Sequence, residues 1–138
     1  MFFKKEDKKK EDIPLSKIGS LLIHAAKIDE HYSNEEEEII KKTLISLGAK
    51  QEGIDDLIKT SIKEEENSNQ ILEFTKEVKN LPEKDKTKII EALWKIIYSN
   101  QNADIYETNL MRRLAGLLYI DSKTMVDIKE KIKKEYSK

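Results

Sequence analysis

Residues 83–98 read EKDKTKIIEALWKIIY. Ile89, Ile90, Leu93, Trp94, Ile96 and Ile97 recur at helical spacing and occupy most sides of that helix rather than one stripe. A helix apolar over so wide an arc has to be enclosed by neighbours. The stretch therefore predicts the central, most buried helix of an all-α fold.

The same spacing marks helices on both sides of it. Ile18, Leu21, Leu22 and Ala25 share one face of a first helix that begins at Pro14. Ile39, Ile40, Thr43, Leu44 and Leu47 form a second, closed by Gly48 as its C′ residue. Ile54, Leu57, Ile58 and Ile62 mark a third, and Ile71, Phe74, Thr75 and Val78 a fourth that ends before Pro82. Leu110, Met111, Leu114, Leu117 and Leu118 follow the central helix, and Met125, Ile128 and Ile132 close the series behind Asp121 or Ser122 as N-cap. No segment alternates with period two. With 4 Gly and 2 Pro in 138 residues, turn residues for hairpins are scarce. The expectation is all-α, a single compact bundle of about seven helices over residues 13–138. Residues 4–12, KKEDKKKED, carry no core residue, so residues 1–12 are expected to form a charged, mobile arm.

Composition narrows the function. Lys plus Arg number 26 and Asp plus Glu 27, so no net field recruits nucleic acid or an acidic membrane surface. The aromatic residues do not interleave with basic ones on one face, which argues against a nucleic-acid platform. Cysteine is absent, which excludes disulfides, thiolate nucleophiles and thiolate metal sites. Met1-Phe2-Phe3 runs straight into Lys4 and Lys5 without an apolar h-region, and no apolar stretch is long enough to span a bilayer. These features fit a cytoplasmic protein with no integral membrane segment. No Gly-rich phosphate loop, nucleophile elbow or His-Glu-x-x-His is present, so the chain is not expected to be an enzyme.

One acidic constellation repeats. Asp29 is followed by Ser33 four residues on and Glu36 three after that; Asn100, Asp104 and Glu107 repeat the spacing. Each set lies between an apolar helix and the next, giving two helix–acidic loop–helix units. Ser33-x-x-Glu36 and Asp104-x-x-Glu107 are capping-box patterns that need no ligand. Asp29 has no such account, because a carboxylate at a helix C-terminus meets the negative end of the dipole. Two roles are open to it: an Asx-type turn, or binding a hard cation (calcium or magnesium) together with Glu36. His31 in the same loop is either a nitrogen ligand or simply solvated. His24, within the first helix, reads as a half-buried, hydrogen-bonded residue.

Residues 21–44, LLIHAAKIDEHYSNEEEEIIKKTL, resemble the first signature of the TerB-like tellurite-resistance family: an apolar helix running into Ala-x-x-Asp-Gly, then Ser/Asp-x-x-Glu. Residues 89–120, IIEALWKIIYSNQNADIYETNLMRRLAGLLYI, resemble the second, with Glu91, Leu93, Trp94, Tyr98, Asp104, Glu107, Arg112 and Arg113 matching. The likeness covers nearly the whole chain after the arm. It implies an all-α domain of about seven helices, a divalent-metal site at the acidic loops formed by Asp29, Glu36, Asn100, Asp104 and Glu107, and a link to tellurite and general stress resistance. Related domains occur in some membrane-anchored co-chaperones. Two departures bear on the metal. Glu30 and Gln101 stand where the family has Gly, and Asn100 stands where it has Asp, keeping an oxygen but losing the charge.

Three functions compete on this reading: a divalent-metal-binding stress-response module, a non-catalytic protein-interaction domain whose acidic loops are only helix caps, and, least supported, a metal-assisted hydrolase. The partner of an interaction domain would be another protein, of unknown identity.

Overall fold

The computed structural model describes residues 13–27, 32–68, 71–99 and 104–136, and of residues 104–108 the backbone alone. Seven α-helices follow in order: α1 (Leu15–Ala26), α2 (Asn34–Ser46), α3 (Ile54–Glu66), α4 (Leu72–Val78), α5 (Glu83–Ser99), α6 (Asp104–Leu117) and α7 (Ser122–Tyr136). A 3-10 turn (Gln51–Gly53) precedes α3, and the described residues contain no strand. The all-helical expectation and its helix count hold. The charged stretch 1–12 lies outside the described residues.

Local chemistry sets the helix ends. Gly48 adopts φ +122°, the Gly48 amide donates to the Ile45 carbonyl (3.0 Å) and the Ala49 amide to the Leu44 carbonyl (2.9 Å). This is a Schellman closure with glycine at C′, as the sequence predicts. Tyr119 closes α6 with the same bond pattern at φ +58° but without glycine's freedom. Asp121, the N-cap of α7, accepts from the Thr124 amide at 2.7 Å. That bond, first among the causes, lowers the Asp121 pKa below the ordinary carboxylate value. At the far end of α6, the buried Lys86 donates from Nζ to the Leu118 carbonyl at 2.9 Å, a cation at the negative end of a helix.

The most enclosed element is α1, not the 83–98 helix. Eight of the twelve α1 residues are buried, against nine of seventeen in α5. α1 packs on α2, α3, α4 and α5, whereas α5 packs on α1, α2 and α7. The reason is small side chains. A Cβ added at Gly19 would lie 2.9 Å from Ser61 Cβ on α3, closer still to Ser61 Oγ, and 3.4 Å from Leu44 Cδ1 on α2. The Ser61 side chain can lie this close to the α1 backbone only because Gly19 carries no side chain. The crossing is polar at its centre: the buried Ser20 hydroxyl is 2.9 Å from both the Ser16 and Ser61 carbonyls, and the Ser61 hydroxyl donates to the Ser16 carbonyl at 3.2 Å. Farther along the same helix pair, Glu65 receives Lys27 at 2.7 Å and His24 at 3.2 Å. Burial raises the Glu65 pKa, but those two partners outweigh it and the net shift is downward. His24 is thus the half-buried, hydrogen-bonded residue expected.

α5 buries Ile89, Ile90, Leu93, Trp94, Ile96 and Ile97 among α1, α2 and α7. Trp94 is 3% exposed; it stacks on Tyr98 with ring centroids 5.9 Å apart and carries Lys129 Nζ at 5.5 Å from its centroid. Its indole N–H is buried without a hydrogen-bond partner among the described residues. An orphan donor of that kind offsets part of what the ring's burial contributes.

Two outcomes follow for stability, both read from chemical denaturation. Gly19→Ala is expected to destabilise by about 1–3 kcal/mol through overpacking, although alanine is the better helix former. Gly116, whose added Cβ would meet nothing within 4 Å, is the control, and Gly116→Ala is expected to be neutral or stabilising. Equal effects at both positions would mean that α1 and α3 are not in close contact. Trp94→Ala is expected to cost roughly 3–5 kcal/mol, and Trp94→Phe far less, because phenylalanine keeps most of the ring and removes the unpaired N–H.

Candidate functional site at the acidic loops

The first acidic loop leaves α1 at Ala26, with Lys27 as C-cap, and enters α2 through Tyr32 and Ser33. Ser33 is in extended conformation and its Oγ accepts from the Glu36 amide at 3.1 Å. Glu36 Oε1 in turn accepts from the Ser33 amide at 2.8 Å and from the Ser33 hydroxyl at 3.2 Å. The capping box read from Ser33-x-x-Glu36 is complete. It also holds a carboxylate in an unusual setting, since Glu36 is 3% exposed. Burying an acid is costly unless hydrogen bonds or a cation compensate; the reciprocal cap supplies the bonds, and the first-turn position adds the favourable helix dipole.

The loop exit carries a negative field. Glu35, Glu36 and Glu37 share the first turn of α2. Tyr32 sits at N′ and packs against the core, its hydroxyl buried without a well-formed hydrogen bond among the described residues. Burial first, and then the Glu37 carboxylate, push the Tyr32 ionisation far above the ordinary tyrosine range. Glu37 is itself bridged by Lys41 at 3.3 Å, and Lys41 reaches Asp55 on α3 at 3.1 Å. Tyr32 belongs to the site and was not singled out from sequence. The available signal was an aromatic at N′ facing position N4, the place of a hydrophobic staple, filled here by Glu37.

The second loop is less fully described. α6 starts at Asp104 itself, so Asp104 stands one residue inside the helix where the sequence pattern placed the cap. Glu107 lies in the first turn of the same helix, and the side chains of both are outside the described residues, as are Asp29, His31 and Asn100 entirely. The structure therefore unites Ser33 with Glu36 and leaves the five-residue ligand set otherwise undescribed. Among the described residues no three His, Cys, Asp or Glu side chains gather as a metal-holding group. Glu36 fits a hard cation by donor type, an oxygen ligand on a rigid element. The second-motif Arg112 and Arg113 are exposed on α6, and Glu91 is half-buried on α5.

The described residues form an all-helical domain packed on the α1–α3 crossing. The chain belongs to the tellurite resistance protein TerB family, which matches residues 16–130 and so spans both acidic loops. Neither a curated protein nor a solved structure shows significant similarity to the chain. Among the described residues no helix is long and apolar enough to cross a membrane.

Ser33→Ala is expected to cost on the order of 1 kcal/mol, with or without divalent cations in the buffer. A penalty that appears only when a cation is present, measured by urea denaturation in chelator against millimolar calcium, would make Ser33 a ligand rather than a cap.

Proposed function

We propose that this chain is a non-catalytic, divalent-cation-binding module of the TerB family, acting in resistance to tellurite and related stress. The observation that carries the reading is that the family match runs through both acidic loops, where Glu36 is held buried and oriented by its cap. Asp29, Asn100, Asp104 and Glu107 would supply the remaining oxygens, and calcium or magnesium suits an all-oxygen set. The Tyr32 hydroxyl, kept protonated by burial and by Glu37, adds a neutral donor beside the acids.

A second reading has its own support. The reciprocal bonds of Ser33 and Glu36 account for both residues without a ligand, which favours a protein-interaction domain with purely structural loops.

Thermal melts in chelator and in millimolar calcium or magnesium separate the two. A cation that binds only the folded state raises the melting temperature as its concentration rises. We expect such a rise in the wild type, its loss in Asp29→Asn, and a larger response in Asn100→Asp, which restores the charge. Identical melting temperatures for all three proteins with and without cation would favour the interaction domain.

A further inference from the structure

A groove runs between α2 and α5, lined by none of the residues of the acidic constellation. Its main depression, about 270 Å³, is lined by Lys42, Thr43 and Ser46 of α2 and by Lys88, Glu91 and Lys95 of α5. A second depression of about 230 Å³ shares Lys42, Thr43 and Lys95 and ends at Glu135 and Tyr136 of α7. Lys42 and Lys95, one from each wall, are thus common to both.

The charge arrangement in this groove is unusual for a chain with nearly equal acids and bases. Glu91 stands three residues after Lys88 and four before Lys95, the spacing at which a helix pairs opposite charges. Its carboxylate instead binds Lys131 of α7 at 2.7 Å. Packing α7 on α5 therefore diverts the acid that would neutralise the groove. Lys42 and Lys95 form no ion pair with a described residue, and Lys88 donates to the Ser46 carbonyl at 3.1 Å. The Thr43 and Ser46 hydroxyls already donate to the Ile39 and Thr43 carbonyls, both at 2.8 Å. They offer lone pairs, not protons, so the ammonium groups are the free donors.

We propose that this groove binds a small, multiply charged oxyanion of the phosphate class, clasped between Lys42 and Lys95 with Lys88 at its edge. The volume favours a small ion, since the main depression falls just below the ~300–1,000 Å³ of sites that enclose drug-sized ligands. Lysine ammonium groups act as point charges with three rotatable donors, which suits phosphate oxygens without demanding one fixed geometry. The exposed mouth means that affinity falls with ionic strength.

The test is a titration of the full-length chain with pyrophosphate at constant ionic strength, followed by amide chemical shifts. Saturable shifts are expected at Thr43, Ser46, Ala92 and Lys95, with inorganic phosphate binding more weakly and chloride not at all. Lys42→Gln/Lys95→Gln should weaken binding at least tenfold while leaving the melting temperature unchanged. Lys59→Gln/Lys63→Gln, which removes the same charge from α3 outside the groove, should bind as the wild type does. Non-saturating shifts, shifts spread over lysines outside the groove, or equal weakening in the two double variants would overturn the site and leave only general attraction to a basic surface. A double variant that lost its fold would be replaced by the single Lys42→Gln and Lys95→Gln proteins, read by the same shifts.

Discussion

The crossing of α1 over α3 at Gly19 and Ser61 is the constraint on which the rest of the bundle depends. Because Gly19 has no side chain, the Ser61 side chain of α3 occupies the space that a Cβ on α1 would fill. That approach buries Ser20 and Ser61 completely and lets their hydroxyls satisfy carbonyls on both helices. With α3 so near, α1 has room to contact α2, α4 and α5 on its remaining sides. The helix becomes the axis of the fold through small residues at its crossing and large ones elsewhere. Loss of the close approach would break the Ser20–Ser61 and Ser61–Ser16 hydrogen bonds and loosen four interfaces together.

The acidic loops sit at the margin of this core. α1 ends at Ala26 and α2 begins one residue after Ser33, so the first loop is anchored by the two helices that the central crossing positions. The cap at Ser33 aligns Glu36 and tolerates its burial, while Lys41 draws Glu37 toward α3. Cap and cation ligand are compatible roles for one carboxylate, because a cap uses only part of a carboxylate's several lone-pair sites. The electrostatic environment, acids at a helix N-terminus beside a buried phenol, is the feature on which both functional readings of the loop turn.

The two ends of the α2–α5 pair carry opposite chemistry. The α2 N-terminus gathers Glu35, Glu36 and Glu37, whereas the groove near its C-terminus gathers Lys42 and the α5 lysines. The acids meet the favourable end of the α2 dipole, and at the other end of α2 Lys88 reaches across from α5 to the Ser46 carbonyl. A nearly neutral chain thus gathers acids at the start of α2 and, farther along the same helix, lysines in a groove that Glu91 and Glu135 also border.

Periodicity by itself determined the seven helices, the absence of strands among the described residues, the Schellman end at Gly48, the cap at Ser33 and the burial of Trp94, because each is local and repeats with the helical turn or a short capping spacing. The family signature was likewise legible in order and residue type along the chain. Which helix stands at the centre was not. The apolar width of 83–98 pointed to α5, whereas Gly19 gave no apolar signal although its missing side chain makes α1 the axis. Nor could spacing place Tyr32 among the acids, divert Glu91 from its neighbouring lysines to Lys131, or set Lys42 opposite Lys95. Those outcomes depend on which helices meet and how closely, distances between residues far apart in the chain that only tertiary packing decides.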